Sequence, residues 1–123
     1  MADQRSSSKR PARAVAMMPR FERNKRRLLS RQQLAVDEAV KEIMADPLLG
    51  EAKAGALRAI RVHKFKVGTL QLLLAYHFDE QRNVIEAWAV GPHENFYRDL
   101  QDYMQARPGG KRQRTSLRDA AGR

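Results

Sequence analysis

Cysteine is absent from the 123 residues, which excludes disulfides, thiolate metal sites and a cysteine nucleophile. The histidines His63, His77 and His93 are too few and too scattered to suggest zinc, so no metal is expected. No stretch approaches the roughly 18–20 apolar residues that span a bilayer. The opening MADQRSSSKRPAR has no apolar signal core, so the chain is read as cytoplasmic and without a membrane partner. There is no internal repeat, no glycine-rich phosphate loop and no CxxC pair. Those absences argue against a nucleotide-hydrolysing enzyme and a zinc finger, and no small-molecule cofactor is expected.

The chain does have charge, and it is unevenly placed. The formal net charge is +10. Residues 1–31 carry ten Lys/Arg and two acids, residues 107–123 carry six and one, and the middle carries eight and eleven. Two basic ends therefore flank a mildly acidic body. Such ends attract polyanions, nucleic acid above all, through counterion release; the plainer reading is a pair of solvated tails.

With 42% hydrophobic residues the chain is long enough for a single core. Residues 1–13 and 107–123 have almost nothing to bury and are expected to be disordered, leaving one domain over 14–106. Ala14–Met18 reads as an edge or first strand, and Pro19 fits the first turn of a helix. Arg20–Leu29 reads as a basic helix anchored by Phe21, Leu28 and Leu29. Ser30 is placed as the cap of a second helix through Ala45, with Val36, Ala39, Val40, Ile43 and Met44 on one face. Leu48–Gly55 is expected to be a loop. Strands follow at Leu57–Val67 and Leu70–Phe78 around a Gly68-Thr69 turn, then at Val84–Val90 after the DEQRN loop at Asp79–Asn83. Phe96–Ala106 reads as a short last helix. The expected fold class is α+β: two N-terminal helices packed on a small antiparallel sheet, with a short C-terminal helix.

The stretch Asn83–Leu100 organises the rest. An apolar strand stops at Gly91-Pro92, and His93, Glu94, Asn95, Tyr97, Arg98 and Asp99 follow at once. Lys64 and Lys66, two apart, share one strand face. His93 is expected at the end of the neighbouring strand, with Arg61 and His77 on the same sheet. Cleaving RNA without a metal needs a base for the 2′-hydroxyl, an acid for the leaving 5′-oxygen and cations for the phosphorane; these residue types supply all three. Each also has an ordinary reading: a solvated lysine face, a surface histidine. Tyr76 and Trp88 are expected in the core.

The segments DPLLGEAKAGALRAIRVHKFK at 46–66, LLLAYHF at 72–78 and GPHENFYRDL at 91–100, with MPRFER at 18–23, resemble the RelE/ParE superfamily of type II toxins over residues 14–104. The resemblance implies a toxin neutralised by a cognate antitoxin. On the RelE side it implies an endoribonuclease acting on ribosome-bound mRNA, which inhibits translation and arrests growth. His93 would then be general acid or base, Lys64 and Lys66 would stabilise the scissile phosphate, and Tyr97 would be a second proton-transfer group. Arg61, His77 and Arg98 would contact RNA, and Arg23, Arg26 and Arg27 on the basic helix would receive the antitoxin. One departure stands out. Leu73, three residues before Tyr76, occupies the place of a phosphate-binding arginine in many active members. It keeps open a ParE-like inhibitor of DNA gyrase without nuclease activity, or a non-toxic binding module on the same fold.

Overall fold

A computed structural model describes residues 13–106; the basic segments 1–12 and 107–123, expected to be disordered, lie outside the described residues. The chain divides after Pro92 into two compact units.

The first unit opens with β1, Ala14–Met17. Met18 is extended and Pro19 takes the first helical position, where its missing N–H forfeits no hydrogen bond, starting α1, Pro19–Arg26. Eight residues are too few for a helix to hold alone, and α1 is fixed by tertiary contacts. Phe21 is fully buried, and Asn24 Oδ1 accepts from the Val90 N–H at 3.1 Å. Lys25 pairs with Asp37 on the second helix.

That helix, α2, covers Ser30–Ala45 and buries Val36, Ala39, Val40 and Ile43, the face its spacing predicts. The cap falls on Leu29 instead of Ser30, and Gln32 Oε1 accepts from the Leu29 N–H at 2.9 Å, the side-chain half of a capping box. Leu29 is therefore exposed at the corner, not an anchor.

The remaining strands are β2, Glu51–Ala52; β3, Arg61–Val67; β4, Leu70–Asp79; and β5, Val84–Pro92. Their order is β1-β5-β4-β3-β2. Strands β2 to β5 are antiparallel neighbours, whereas β1 joins β5 in parallel. The sheet is thus mixed, because the helical pair carries the chain across one face between β1 and the meander. Arg13, just before β1, donates through Nε to Asn83 Oδ1 at 2.9 Å and through Nη1 to the Met44 carbonyl.

Two boundaries differ from the sequence expectation for local reasons. Gly55, at φ 65°, opens a short 3-10 turn over Gly55–Leu57. The Ile60 N–H then returns to the Leu57 carbonyl, so β3 begins at Arg61 and not at Leu57. Part of the expected 48–55 loop is β2, which covers only Arg61 and Val62 of β3. Beyond Val62 the outer edge of β3 has no strand neighbour among the described residues.

Alternation sets the faces. Leu72, Leu74 and Tyr76 of β4 meet Ile85, Ala87 and Val90 of β5 and the buried stripe of α2 in one core, with Phe65, Val67, Leu70 and Phe78 around it. Ala87 and Val90 share a face because Ala75 pairs with Ala89 and Tyr76 with Ala87, leaving Trp88 as the extra residue of a β-bulge. Each fully buried leucine or isoleucine contributes about 1.5–3 kcal/mol by area, so this α/β contact carries the unit.

The second unit starts at His93. Asn95 has φ 59°, and the Phe96 N–H bonds the His93 carbonyl at 3.0 Å. That turn leads into α3, Phe96–Ala106. No described helix is long and apolar enough to cross a membrane.

Candidate functional site

On β3 the residues Arg61, His63, Phe65 and Val67 pair with Tyr76, Leu74, Leu72 and Leu70, whose side chains face the helices. Lys64 and Lys66 alternate with them and so project from the opposite face, where both are exposed. Their register partners on β4 are Leu73 and Gln71. The lysine pair therefore stands as expected, but its surroundings differ. Strand β4 lies between β3 and β5, so the strand leading to His93 is not the neighbour of the lysine strand. Leu73 is 0% exposed, so nothing at that position replaces the arginine charge.

Arg61 faces the other way from the lysines. Its Nη1 donates to the Leu48 carbonyl at 3.2 Å and the Gly50 carbonyl at 2.7 Å. The same loop is held from the core by Tyr76, whose hydroxyl donates to the Pro47 carbonyl at 2.7 Å and accepts from the Gly50 N–H at 2.9 Å. Burial pushes the Tyr76 hydroxyl above its ordinary pKa, opposed by the Gly50 N–H and the Arg61 charge. The approach is close enough that a Cβ on Gly50 would lie 2.9 Å from the Tyr76 ring and its oxygen. The leucines of this pinned loop, Leu48 and Leu49, remain 58% and 45% exposed.

His77 Nδ1 lies 2.8 Å from the Ala59 carbonyl. A carbonyl only accepts, so Nδ1 carries the proton and the ring presents Nε2 outward. Here the structure unites two predicted residues. Arg61 and His77 line one cleft of about 380 Å³, with Leu48, Arg58, Phe78 and Glu80 at its walls. Arg58 escaped the sequence reading, since an arginine beside a turn carries no motif. His63, which received no role from the sequence, bonds Glu42 through Nε2 at 2.8 Å and ties β3 to α2.

In the second unit His93 lies in the turn before α3 and Tyr97 in the helix's first turn, their rings edge to face at 5.7 Å. Tyr97 also meets Phe96 edge-on at 5.6 Å. The Arg98 guanidinium lies 4.0 Å from Asp99 Oδ1. On α1 and its C-cap, Arg23, Arg26 and Arg27 are all exposed. Arg26 also borders a smaller cleft of about 270 Å³ with Met17, Glu22, Lys25 and Gln33.

The sequence model of the ParE-like toxins of type II bacterial toxin–antitoxin systems matches residues 15–101, from β1 into α3. The chain belongs to this toxin family. The fold of the toxin agrees with solved structures. The RelBE2 toxin–antitoxin complex of Mycobacterium tuberculosis superposes with TM-score 0.60 at 19% identity, covering 68% of this chain and 100% of that one. A free mutant of the Escherichia coli toxin RelE gives 0.60 at 17%, covering 78% and 99%. The intact E. coli RelBE complex gives 0.55 at 18%, covering 66% and 96%. No curated protein matches the chain in sequence.

Proposed function

We propose that this toxin is a metal-independent endoribonuclease that cuts ribosome-bound mRNA and so halts translation, held in check by a cognate antitoxin. The observation that carries the reading is the Lys64–Lys66 pair, two exposed cations on one sheet face, spaced about 7 Å along the strand. Fixed cations of that kind offset the charge that builds on a phosphorane. In the reaction the 2′-oxygen bonds phosphorus and the P–O5′ bond breaks, leaving a 2′,3′-cyclic phosphate and a 5′-hydroxyl. One group takes the 2′ proton and another gives one to O5′. His93 serves as acid or base and Tyr97 as the second proton carrier, and their ring contact supports assigning them together. Arg61, His77 and Arg98 contact RNA, and the basic ends add affinity for ribosomal RNA. Purified His93→Ala protein is expected to cut mRNA on ribosomes ~10²–10⁴-fold more slowly than the parent. An unchanged rate removes His93 from the mechanism.

Fully buried Leu73, in place of a cation beside Lys64, favours a second reading, a gyrase inhibitor that cuts no RNA. Induction followed by pulse labelling separates them: protein synthesis stops first under the nuclease reading, DNA synthesis under the other. Induction without growth arrest, with tight nucleic-acid binding, marks a non-toxic binding module.

A further inference from the structure

The geometry points to the cleft between the 58–61 turn and the far end of β4 as a binding site for one nucleotide unit, its phosphate on Arg58, Arg61 and His77 and its base against Leu48 and Phe78. At about 380 Å³ the cleft lies in the lower part of the roughly 300–1,000 Å³ range of small-ligand sites. Its lining includes two guanidiniums and an imidazole against the single carboxylate of Glu80. Arg61 commits Nη1 to two carbonyls, which orients the planar fork and leaves Nε and Nη2 for an oxyanion, a geometry that phosphate matches. The Arg58 side chain is exposed and makes no ion pair among the described residues. His77 is fixed through Nδ1–H on the Ala59 carbonyl, so at Nε2 the imidazolium form donates to a phosphate oxygen and the neutral ring accepts from a phosphate hydroxyl.

The apolar wall is equally prepared. Leu48 is 58% exposed, yet its loop is pinned by Tyr76 and Arg61, so a flat apolar group can settle on it with little further ordering of the loop. The site is separate from the lysine pair. His77 is four residues along β4 from Leu73, the partner of Lys64, about 13 Å at strand rise. Binding here does not depend on strand scission and stands whether or not the chain cuts RNA. A free nucleotide and one residue of an RNA strand share the required chemistry.

The test is titration of the full-length, isotope-labelled protein followed by NMR. The ligands are AMP, inorganic phosphate, adenosine, and a 2′-O-methyl oligoribonucleotide that cannot undergo 2′-hydroxyl attack. AMP is expected to shift the His77 ring signals and to bind more tightly than phosphate or adenosine. Arg58→Gln and His77→Gln should each weaken AMP by about fivefold or more, the loss of one charge-assisted contact, while Lys41→Gln on α2 changes nothing. An oligoribonucleotide that binds at least tenfold tighter than AMP and competes with it assigns the site to RNA; equal or weaker binding assigns it to a free nucleotide. AMP no tighter than phosphate overturns the base contact. His77 signals unmoved by AMP and by the oligoribonucleotide overturn the site, as does undiminished affinity in both variants when their other amide signals match the parent.

Discussion

Burial of the Tyr76 hydroxyl is tolerated because both of its hydrogen-bonding roles are filled, by the Pro47 carbonyl and the Gly50 N–H. Removing the oxygen orphans one donor and one acceptor, so Tyr76→Phe is expected to cost about 1–3 kcal/mol, read by chemical denaturation. The loop carrying Leu48 loosens with it. The pH dependence has a definite sign. The folded hydroxyl ionises at higher pH than the unfolded one, so its contribution is complete below about pH 10 and is lost as pH rises from there through the folded value. Denaturation midpoints from pH 8 to pH 11 should fall less steeply for Tyr76→Phe than for the parent. Alternation along Leu70–Phe78 placed Tyr76 in the core from sequence alone. Its partners, 26 and 29 residues earlier, were hidden because a loop carbonyl and a loop N–H have no residue signature.

The exposed side of α1 and its cap carries three arginines and one acid, Glu22. Phe21 and Asn24 are spent on docking and Lys25 on Asp37, which leaves Arg23, Arg26 and Arg27 facing solvent. Replacing these three with glutamine is expected to weaken antitoxin binding and flatten its salt dependence, because exposed charges act largely through screened long-range attraction. Calorimetry at two salt concentrations checks this; unchanged affinity places the antitoxin elsewhere. The helices themselves were legible, since Pro19 and the 36-39-40-43 stripe are local signals. Less so were the ends. Ser30 has the chemistry of a cap, but Gln32 reaches back to Leu29 and moves the corner by one residue. The start of β3 was masked because Ala56 to Ile60 is apolar enough to read as strand, while backbone bonds close it into a turn.

Over the whole molecule, the order of elements and the two-faced sheet followed from hydrophobic period, and the ParE-like family assignment covers the same span. The parallel placement of β1 did not follow, because four residues carry no sign of the direction in which they will pair. The candidate site was legible as residue types and illegible as neighbourhoods: Lys64 and Lys66 kept their shared face, Arg61 turned toward the helices, and Arg58 joined His77 through a turn.

The short β2 has a consequence for how copies of the protein behave together. Past Val62 the outer side of β3 has no strand partner among the described residues, the kind of edge along which sheets zip into aggregates. Lys64 and Lys66 stand on that stretch, exposed and alike in sign, and two such edges repel each other. Exchanging both for threonine, which suits strands and carries no charge, should shift the protein toward larger species than the parent forms at the same high concentration, as measured by size exclusion with light scattering. A double variant with the same size distribution as the parent would show that the lysines are not what keeps the edge from pairing.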